Sequence, residues 1–167
     1  MKLITVDQGP TGLAVNSTGS RMYVANLPSS TVSVIDTATD TVIRSPITFG
    51  ALPFGLAVTP DERRVYVGNS GSNTVSVIDT SIDAVVDSPI PVGLTPAGVA
   101  VDPAGSHVYV TNFDPDPLQG DYRISVIDTT SNREVARIPV GAPRSVWRWL
   151  RTVGVSMLPT ALRVPYQ

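Results

Sequence analysis

The sequence predicts an all-β fold, and two features of the chain carry this prediction. Its 167 residues include 13 Gly and 15 Pro, which interrupt runs rich in β-branched residues and favour short strands joined by turns. The second feature is an internal repeat with a period of 43 residues. It is clearest at one recurring tyrosine and one recurring proline in three successive segments: Tyr23, Tyr66 and Tyr109, and Pro10, Pro53 and Pro96.

Composition and charge exclude several classes of protein. Charged residues make up 16% of the chain and apolar residues 42%, which argues against disorder, and the net charge of −2 does not favour nucleic-acid binding. The chain has no Cys, which excludes a disulfide framework, a thiolate zinc site and a cysteine nucleophile. We expect no transmembrane segment, because no apolar run approaches the roughly 18 residues of a membrane span. The N-terminus lacks the features of a signal peptide, and the compartment stays unknown.

Each repeat resolves into four strand-like runs separated by turn residues. In the first repeat these runs are 13–16, 22–26, 31–37 and 41–49. Four short strands in about 43 residues match one blade of a β-propeller, a four-stranded antiparallel sheet. The sequence therefore predicts an incomplete ring of three blades, at 9–51, 52–94 and 95–141. Residues 1–8 are predicted to be the outer strand of a preceding blade, because they lead into Pro10 much as residues 47–50 lead into Pro53.

The repeats also resemble a known family. The runs Tyr-Val-Ala-Asn, Tyr-Val-Gly-Asn and Tyr-Val-Thr-Asn, at residues 23–26, 66–69 and 109–112, are each followed by Ser-Val-Ile-Asp-Thr and are similar to the YVTN family of β-propeller repeats. The resemblance covers about residues 1–143. It implies a prokaryotic protein of a kind that is mostly seven-bladed and commonly exported, including surface-layer and periplasmic binding proteins. Related lactonase-type propellers are enzymes.

Residues that recur in every repeat are predicted to serve the blade rather than one active site. An aspartate recurs before a threonine at the turn into the last strand. Its carboxylate is expected to accept hydrogen bonds from nearby backbone N–H groups in an Asx turn, and the three residues are Asp36, Asp79 and Asp128. An asparagine ends the second strand of each repeat, where it is expected to cap the hydrogen-bond ladder or to adopt a left-handed backbone. The alternative is a ring of amides that faces a ligand, and the three residues are Asn26, Asn69 and Asn112. The recurring glycines are predicted to precede the innermost strand where backbones crowd: Gly12, Gly55 and Gly98.

The third repeat contains the one asymmetric feature, a six-residue insertion within residues 113–122. In propellers such loops share a face with the links between blades, so we expect Phe113 and Tyr122 to belong to a candidate ligand- or partner-binding loop. Asp114, Asp116 and Asp121 offer oxygen atoms that suit Ca²⁺, but they depart from EF-hand spacing. We therefore favour a solvated or partner-binding loop and expect no metal site and no cofactor.

A lone histidine and the C-terminal tail complete the candidates. His107 is placed opposite Arg21 and Arg64 at the exposed start of the second strand, without the neighbours of a metal site or a catalytic triad. Residues 142–167 leave the repeat and form a basic tail. We expect a truncated or out-of-frame end, with a basic amphipathic element and a capping segment over an exposed edge as alternatives.

These observations predict a non-catalytic propeller module that presents loops to a protein, a polymer or a small ligand. We expect it to be a fragment of a larger propeller, since closed rings have about four to eight blades. A lactonase-like hydrolase fragment and a structural repeat protein of the cell envelope are the alternatives. Three blades leave apolar faces open at both ends, so self-association is also expected.

Overall fold

The computed structural model describes residues 3–43, 46–48, 50–113 and 122–140. The regular elements in this part of the chain are strands, joined by turns and short irregular segments, and no helix in it is long and apolar enough to span a membrane. The strands are β1 (Pro10–Val15), β2 (Arg21–Asn26), β3 (Thr31–Asp36), β4 (Thr41–Val42), β5 (Ile47–Thr48), β6 (Pro53–Val58), β7 (Arg64–Asn69), β8 (Thr74–Asp79), β9 (Ala84–Pro91), β10 (Pro96–Val101), β11 (His107–Asn112), β12 (Arg123–Asp128) and β13 (Arg133–Pro139).

The strands form three antiparallel sheets, each ordered as in the sequence. Blade 1 contains β1 to β5, blade 2 contains β6 to β9, and blade 3 contains β10 to β13. The innermost strands β1, β6 and β10 pack beside one another, so the blades follow each other around the start of a ring. This arrangement confirms the predicted all-β fold and the incomplete propeller of three blades.

The outermost strand of blade 1 differs from the prediction of one continuous run over 41–49. The structure divides it into β4 and β5, which both pair with β3. Ile35 pairs with Val42 and Val32 pairs with Ile47, so the outer strand has two more residues than β3 between the same two points. Blade 2 has the same excess between the pairs Val77–Val86 and Val75–Ile90, where β9 stays a single strand and forms a bulge.

The innermost strands start at other residues than predicted, and the segments before and after the three blades need separate comment. The innermost strands begin at the recurring proline, three residues earlier than expected in blade 1, so the recurring glycines lie within them rather than before them. Residues 3–6 belong to none of the three sheets, and their pairing with a preceding blade stays a prediction. The tail at 142–167 lies outside the described residues.

The hydrophobic core lies between blades rather than within one sheet. One cluster joins blades 1 and 2, where Tyr23 and Val34 pack with Leu56 and Val67. A second cluster joins blades 2 and 3, where Tyr66, Val77 and Ile90 pack with Val108 and Ile127. Because β3 and β8 are central strands of their sheets, their apolar residues on both faces are buried.

Two glycines set the close approach of neighbouring blades. A Cβ atom on Gly12 would lie 2.2 Å from the carbonyl oxygen of Phe54 in blade 2, and one on Gly55 would lie 2.0 Å from that of Ala97 in blade 3. A larger residue at either position would force the innermost strands apart. These contacts support the packing role predicted for the two glycines.

Candidate functional site

The recurring aspartates act as acceptors within turns. The Asp36 carboxylate accepts the backbone N–H groups of Ala38 (3.0 Å) and Thr39 (2.8 Å), and Asp79 accepts that of Ser81 at 2.8 Å. Asp128 repeats the pattern, with an N···O distance of 2.7 Å from Ser131. Hydrogen bonds from the Thr39 backbone, the Ser81 hydroxyl and the Ser131 backbone are the largest causes that lower the pKa values of these three carboxyls. The predicted Asx-turn role is confirmed.

The recurring asparagines are buried inside the blades. The Nδ2 groups of Asn26 and Asn69 donate to the hydroxyls of Ser33 (2.9 Å) and Ser76 (2.8 Å) on the next strand. Asn112 makes the same bond to Ser125 at 2.8 Å. Their backbones are not left-handed, so that part of the prediction is wrong. The amides join two strands from within, as a structural role requires.

The links between blades seal these amides from the surface. A Cβ atom on Gly93 would lie 2.6 Å from the Cγ atom of Asn112, and one on Gly50 would lie 3.2 Å from Nδ2 of Asn69. The Oδ1 atoms of Asn69 and Asn112 are buried without a hydrogen-bond partner, as is that of Asn26. This placement favours the structural alternative over a ring of amides that faces a ligand.

His107 starts β11 and is partly exposed, at the same strand position as Arg21 in β2 and Arg64 in β7. Its Nδ1 atom lies 3.0 Å from the Ser106 hydroxyl and 3.4 Å from the Asp102 carboxylate. The hydrogen bond from the Ser106 hydroxyl is the largest of the causes that lower the pKa of Asp102 to about 2. The strand position predicted for His107 is confirmed, and these contacts tie its ring to the neighbouring turn.

Among the residues with described coordinates, no group of three or more His, Asp or Glu side chains is placed to hold a metal ion. Asp114, Asp116 and Asp121 of the insertion lie outside the described residues. Neither a calcium site nor a partner contact at these three residues is therefore tested by the geometry.

The loops after the second strands and the links between blades share one surface, which we call the loop face. Ser70, in the loop after β7, donates its backbone N–H to the Leu52 carbonyl in the link before β6 at 2.9 Å. Phe113, after β11, donates in the same way to the carbonyl of Leu94 at 3.0 Å. The loop face therefore has a backbone fixed by hydrogen bonds between each loop and its adjacent link.

An aromatic pair stands on the loop face at the base of the insertion. The rings of Phe113 and Tyr122 meet edge to face, with centroids 5.7 Å apart and planes at 72°. Phe113 is 50% exposed, and Leu94 beside it is also exposed. The structure thus brings together two of the predicted site residues, and the backbone of Phe113 is hydrogen-bonded to Leu94, an exposed apolar residue that the sequence analysis did not single out.

Sequence reasoning missed the polar contacts that cross between blades. Arg21 of blade 1 donates to the Thr80 carbonyl of blade 2 at 2.9 Å, and Arg64 of blade 2 donates to the Thr129 carbonyl of blade 3 at 2.7 Å. The Glu62 carboxylate accepts the Thr18 backbone N–H at 2.7 Å across the first boundary. The recurrence of arginine at the start of the second strand was the signal for the first two contacts.

Comparison with known proteins agrees with this architecture. The model of the YNCE-like β-propeller family matches residues 5–88. The chain belongs to this family. No curated protein matches the sequence.

Solved structures extend the likeness of this YNCE-like propeller across all three blades. Hydrazine synthase of Kuenenia stuttgartiensis is similar with a TM-score of 0.75 and 28% identity, covering 85% of this chain and 39% of that chain. A functionally unknown protein from Desulfotomaculum acetoxidans DSM 771 shares the fold, with a TM-score of 0.67 and 17% identity. That match covers 81% of this chain and 44% of the other. The YNCE-like propeller thus spans less than half the length of these two relatives.

Proposed function

We propose that this YNCE-like propeller is a non-catalytic binding or scaffold module whose loop face contacts a partner. One observation carries the proposal: an apolar cluster of Leu94, Phe113 and Tyr122, in which Leu94 and Phe113 are exposed, lies at the insertion in the third repeat. Exposed aromatic side chains on a rigid backbone are typical anchors of protein interfaces. The cluster fits apolar side chains of a protein or peptide, and a polymer or small ligand is the other class of partner.

The placement of the polar residues supports a non-catalytic role. The recurring aspartates are engaged in turns, and the recurring asparagines are buried. His107 is the sole histidine of the chain, and its Nδ1 atom contacts Ser106 and Asp102 of the adjacent turn. A general acid–base site requires a titratable side chain within reach of substrate.

Panning of a random-peptide phage library on the full chain tests the proposal. Peptides that bind the wild-type chain should bind Phe113→Ser about tenfold or more weakly, since truncating an interface anchor typically costs over 1 kcal/mol. Ile82→Ser is the matched control, because Ile82 is also an exposed apolar residue but lies in the turn between β8 and β9, away from the loop face. Equal binding to both variants would contradict the loop face as the binding surface.

A separate assay addresses catalysis. The full chain is incubated with γ- and δ-lactones and acid release is followed, with and without a chelator. We expect no hydrolysis above the buffer rate. Turnover that the chelator abolishes would overturn the non-catalytic proposal and favour a lactonase-like hydrolase.

A further inference from the structure

The turn between β1 and β2, at residues 16–20, holds a carboxylate that comes from the next blade. The Thr18 backbone N–H lies 2.7 Å from the Oε1 atom of Glu62 in blade 2, and the Ser17 hydroxyl donates to the same oxygen. Oε2 accepts from Nδ2 of Asn16 at 2.9 Å and from the Thr18 hydroxyl at 3.2 Å. These four donors, on Asn16, Ser17 and Thr18, form what we call the carboxylate cradle.

The turn holds these donors in place through its own hydrogen bonds. Asn16 accepts the backbone N–H of Gly19 at its carbonyl oxygen and that of Arg21 at Oδ1, each at 2.9 Å. Its Nδ2 atom lies 3.0 Å from both the Thr18 and the Ser20 hydroxyls, and the residue is buried. Since preorganised donors need little further ordering, the carboxylate cradle is ready to bind a carboxylate from any source.

Glu62 has a backbone conformation that favours glycine. Its φ is 61°, in the left-handed region, and the matching residues of blades 1 and 3 are Gly19 (φ of 72°) and Gly105 (φ of 70°). A residue with a Cβ atom is disfavoured in this region because the Cβ atom crowds the backbone. The second repeat therefore places a glutamate where the turn favours glycine, and outliers of this kind concentrate at sites with a role.

The donors and the glutamate depart from the repeat together. At the first boundary Thr18 of blade 1 binds Glu62 of blade 2. At the second boundary both members are replaced, since Asp61 of blade 2 stands at the place of Thr18 and Gly105 of blade 3 at the place of Glu62. Pro60 packs there on Gly105 instead, with 3.3 Å from its Cδ atom to the position of a Cβ. The paired departure indicates that the carboxylate cradle and Glu62 act as one unit.

The carboxylate cradle favours the ionised form of its ligand. Hydrogen bonds from the Ser17 hydroxyl and then from the Thr18 backbone are the largest causes that lower the pKa of the Glu62 carboxyl from its ordinary value of 4.5. Such charge-assisted bonds are about twice as strong as bonds between neutral groups. Ser17 and Thr18 are exposed, so solvent reaches the carboxylate cradle when the glutamate side chain leaves it.

We propose that the carboxylate cradle is a binding site for a small monocarboxylic acid and that Glu62 is the ligand that occupies it within the chain. The side chain of glutamate beyond Cα has the atoms of propionate, so the space that it fills suits an acid of two or three carbons. An acid that displaces Glu62 frees the turn of blade 2 from that of blade 1, which couples binding to the first boundary. This inference concerns the turns at the other end of the strands and goes beyond the role proposed for the loop face.

Glu62→Gly empties the carboxylate cradle without straining the left-handed backbone. The Thr80 hydroxyl donates to the backbone carbonyl of residue 62 at 2.7 Å, and the variant keeps this bond. In ¹H–¹⁵N spectra of the full chain the Thr18 amide proton should move upfield, because its charge-assisted bond is lost. Titration with sodium propionate at constant ionic strength should return it towards the wild-type position, with a saturable curve and a Kd in the millimolar range.

Two controls separate binding at the carboxylate cradle from a general effect of the acid. Propionamide has the shape of propionate without its charge and should leave the Thr18 amide of Glu62→Gly where it is. Glu134→Ala is the matched variant, because Glu134 is the other glutamate of the chain and pairs with Arg137 of the same strand at 2.8 Å. In this variant the Thr18 amide should keep its wild-type position with and without propionate.

Urea unfolding gives a second readout of the same site. Propionate should raise the unfolding midpoint of Glu62→Gly, as a ligand that binds only the folded state does, and should leave that of Glu134→Ala unchanged. Adding Ser17→Ala to Glu62→Gly removes one hydroxyl donor and should weaken propionate binding about tenfold. An equal rise of the midpoint in both single variants would show a solvent effect and overturn the proposal.

A conservative variant keeps the proposal testable if the glycine variant does not fold. Glu62→Gln retains the length of the side chain and removes its charge, so the Thr18 amide proton should move upfield by less than in Glu62→Gly. Propionate should not bind this variant at the turn, because the amide still fills the carboxylate cradle. A Thr18 amide that stays in place in Glu62→Gln, or propionate binding to Glu62→Gly that Ser17→Ala leaves unaltered, would overturn the proposal.

Discussion

The hydroxyl of Tyr66 in blade 2 donates a hydrogen bond of 2.8 Å to the Oδ1 atom of Asn132 in blade 3. Asn132 in turn donates from Nδ2 to the Asp87 carboxylate of blade 2 at 2.8 Å. A single asparagine therefore connects β7 and the bulged part of β9 to the last turn of blade 3. These hydrogen bonds stabilise the boundary between blades 2 and 3, and they fix the relative orientation of the two blades because, unlike apolar packing, hydrogen bonds are directional.

Tyr66→Phe is predicted to lower the free energy of unfolding by about 1 kcal/mol, since it removes one partly buried hydrogen bond and keeps the ring. Urea unfolding at a fixed chain concentration measures the change. Asn132→Gly removes the acceptor without straining the left-handed backbone at that position. In the double variant the loss should be less than the sum of the two single losses, and strict additivity would contradict the contact.

Gly55→Ala is predicted to lower the free energy of unfolding by about 1–3 kcal/mol, as overpacking does. The added methyl group would lie 2.0 Å from the Ala97 carbonyl, a backbone group that moves only with its strand. Gly98→Ala is the matched comparison, because its methyl group would meet only the Thr111 hydroxyl at 2.9 Å. An equal loss at both glycines in dilute solution would refute the close approach at Gly55.

Asn69→Ala is predicted to cost about 1–3 kcal/mol of stability while leaving peptide binding at the loop face unchanged. The variant removes the donors that hold Ser76 (2.8 Å) and Thr74 (3.2 Å) and leaves these groups under the link at Gly50. Chemical denaturation and peptide titration are measured on the same sample, with the exposed Gln8→Ala as control. Weaker binding without lower stability would instead favour an amide that contacts a ligand.

Acidification is predicted to remove the contribution of the turn carboxylates to stability. The pKa of Asp79 in the folded chain is lowered from 3.8, first by the Ser81 hydroxyl and then by its backbone N–H. A lowered pKa stabilises the fold above the unfolded value, and this contribution is lost as the pH falls through the folded value. The stability difference between the wild-type chain and Asp79→Asn should therefore shrink between pH 5 and pH 2. A difference that is independent of pH would contradict the assigned hydrogen bonds.

The fold was predictable because the sequence pattern of one blade occurs three times in the chain. The spacing of Tyr23, Tyr66 and Tyr109 defines the blade, and the turn role of Asp36 follows from the short side chain and its place before a turn. The division of β4 from β5 was not predictable, since it depends on a two-residue mismatch with β3 that periodicity does not reveal. The innermost strands begin earlier than predicted, because proline and glycine are typical of turns. Both residues also fit an edge strand next to a bulge, as between Pro10 and Leu13 in β1.

The candidate site was less predictable than the fold. Sequence placed Phe113 and Tyr122 in one loop, but their edge-to-face contact depends on how β11 and β12 bring the two ends of the insertion together. The burial of Asn26 could not be read from its place at a strand end, because the hydroxyls that bind it come from the next strand. Contacts between blades, such as Arg64 with Thr129, join residues 65 positions apart.

The arrangement of the core between blades makes the chain a short one-dimensional array. Blade 2 is covered on both sides, whereas blades 1 and 3 each have one covered side within the described residues. In such arrays stability is a sum of unit and nearest-neighbour terms, so among the described blades the one with two covered sides is expected to open last. Amide protons of β7 and β8 should consequently exchange with solvent more slowly than those of β2 and β12, and substitutions in the middle unit should propagate in both directions along the chain.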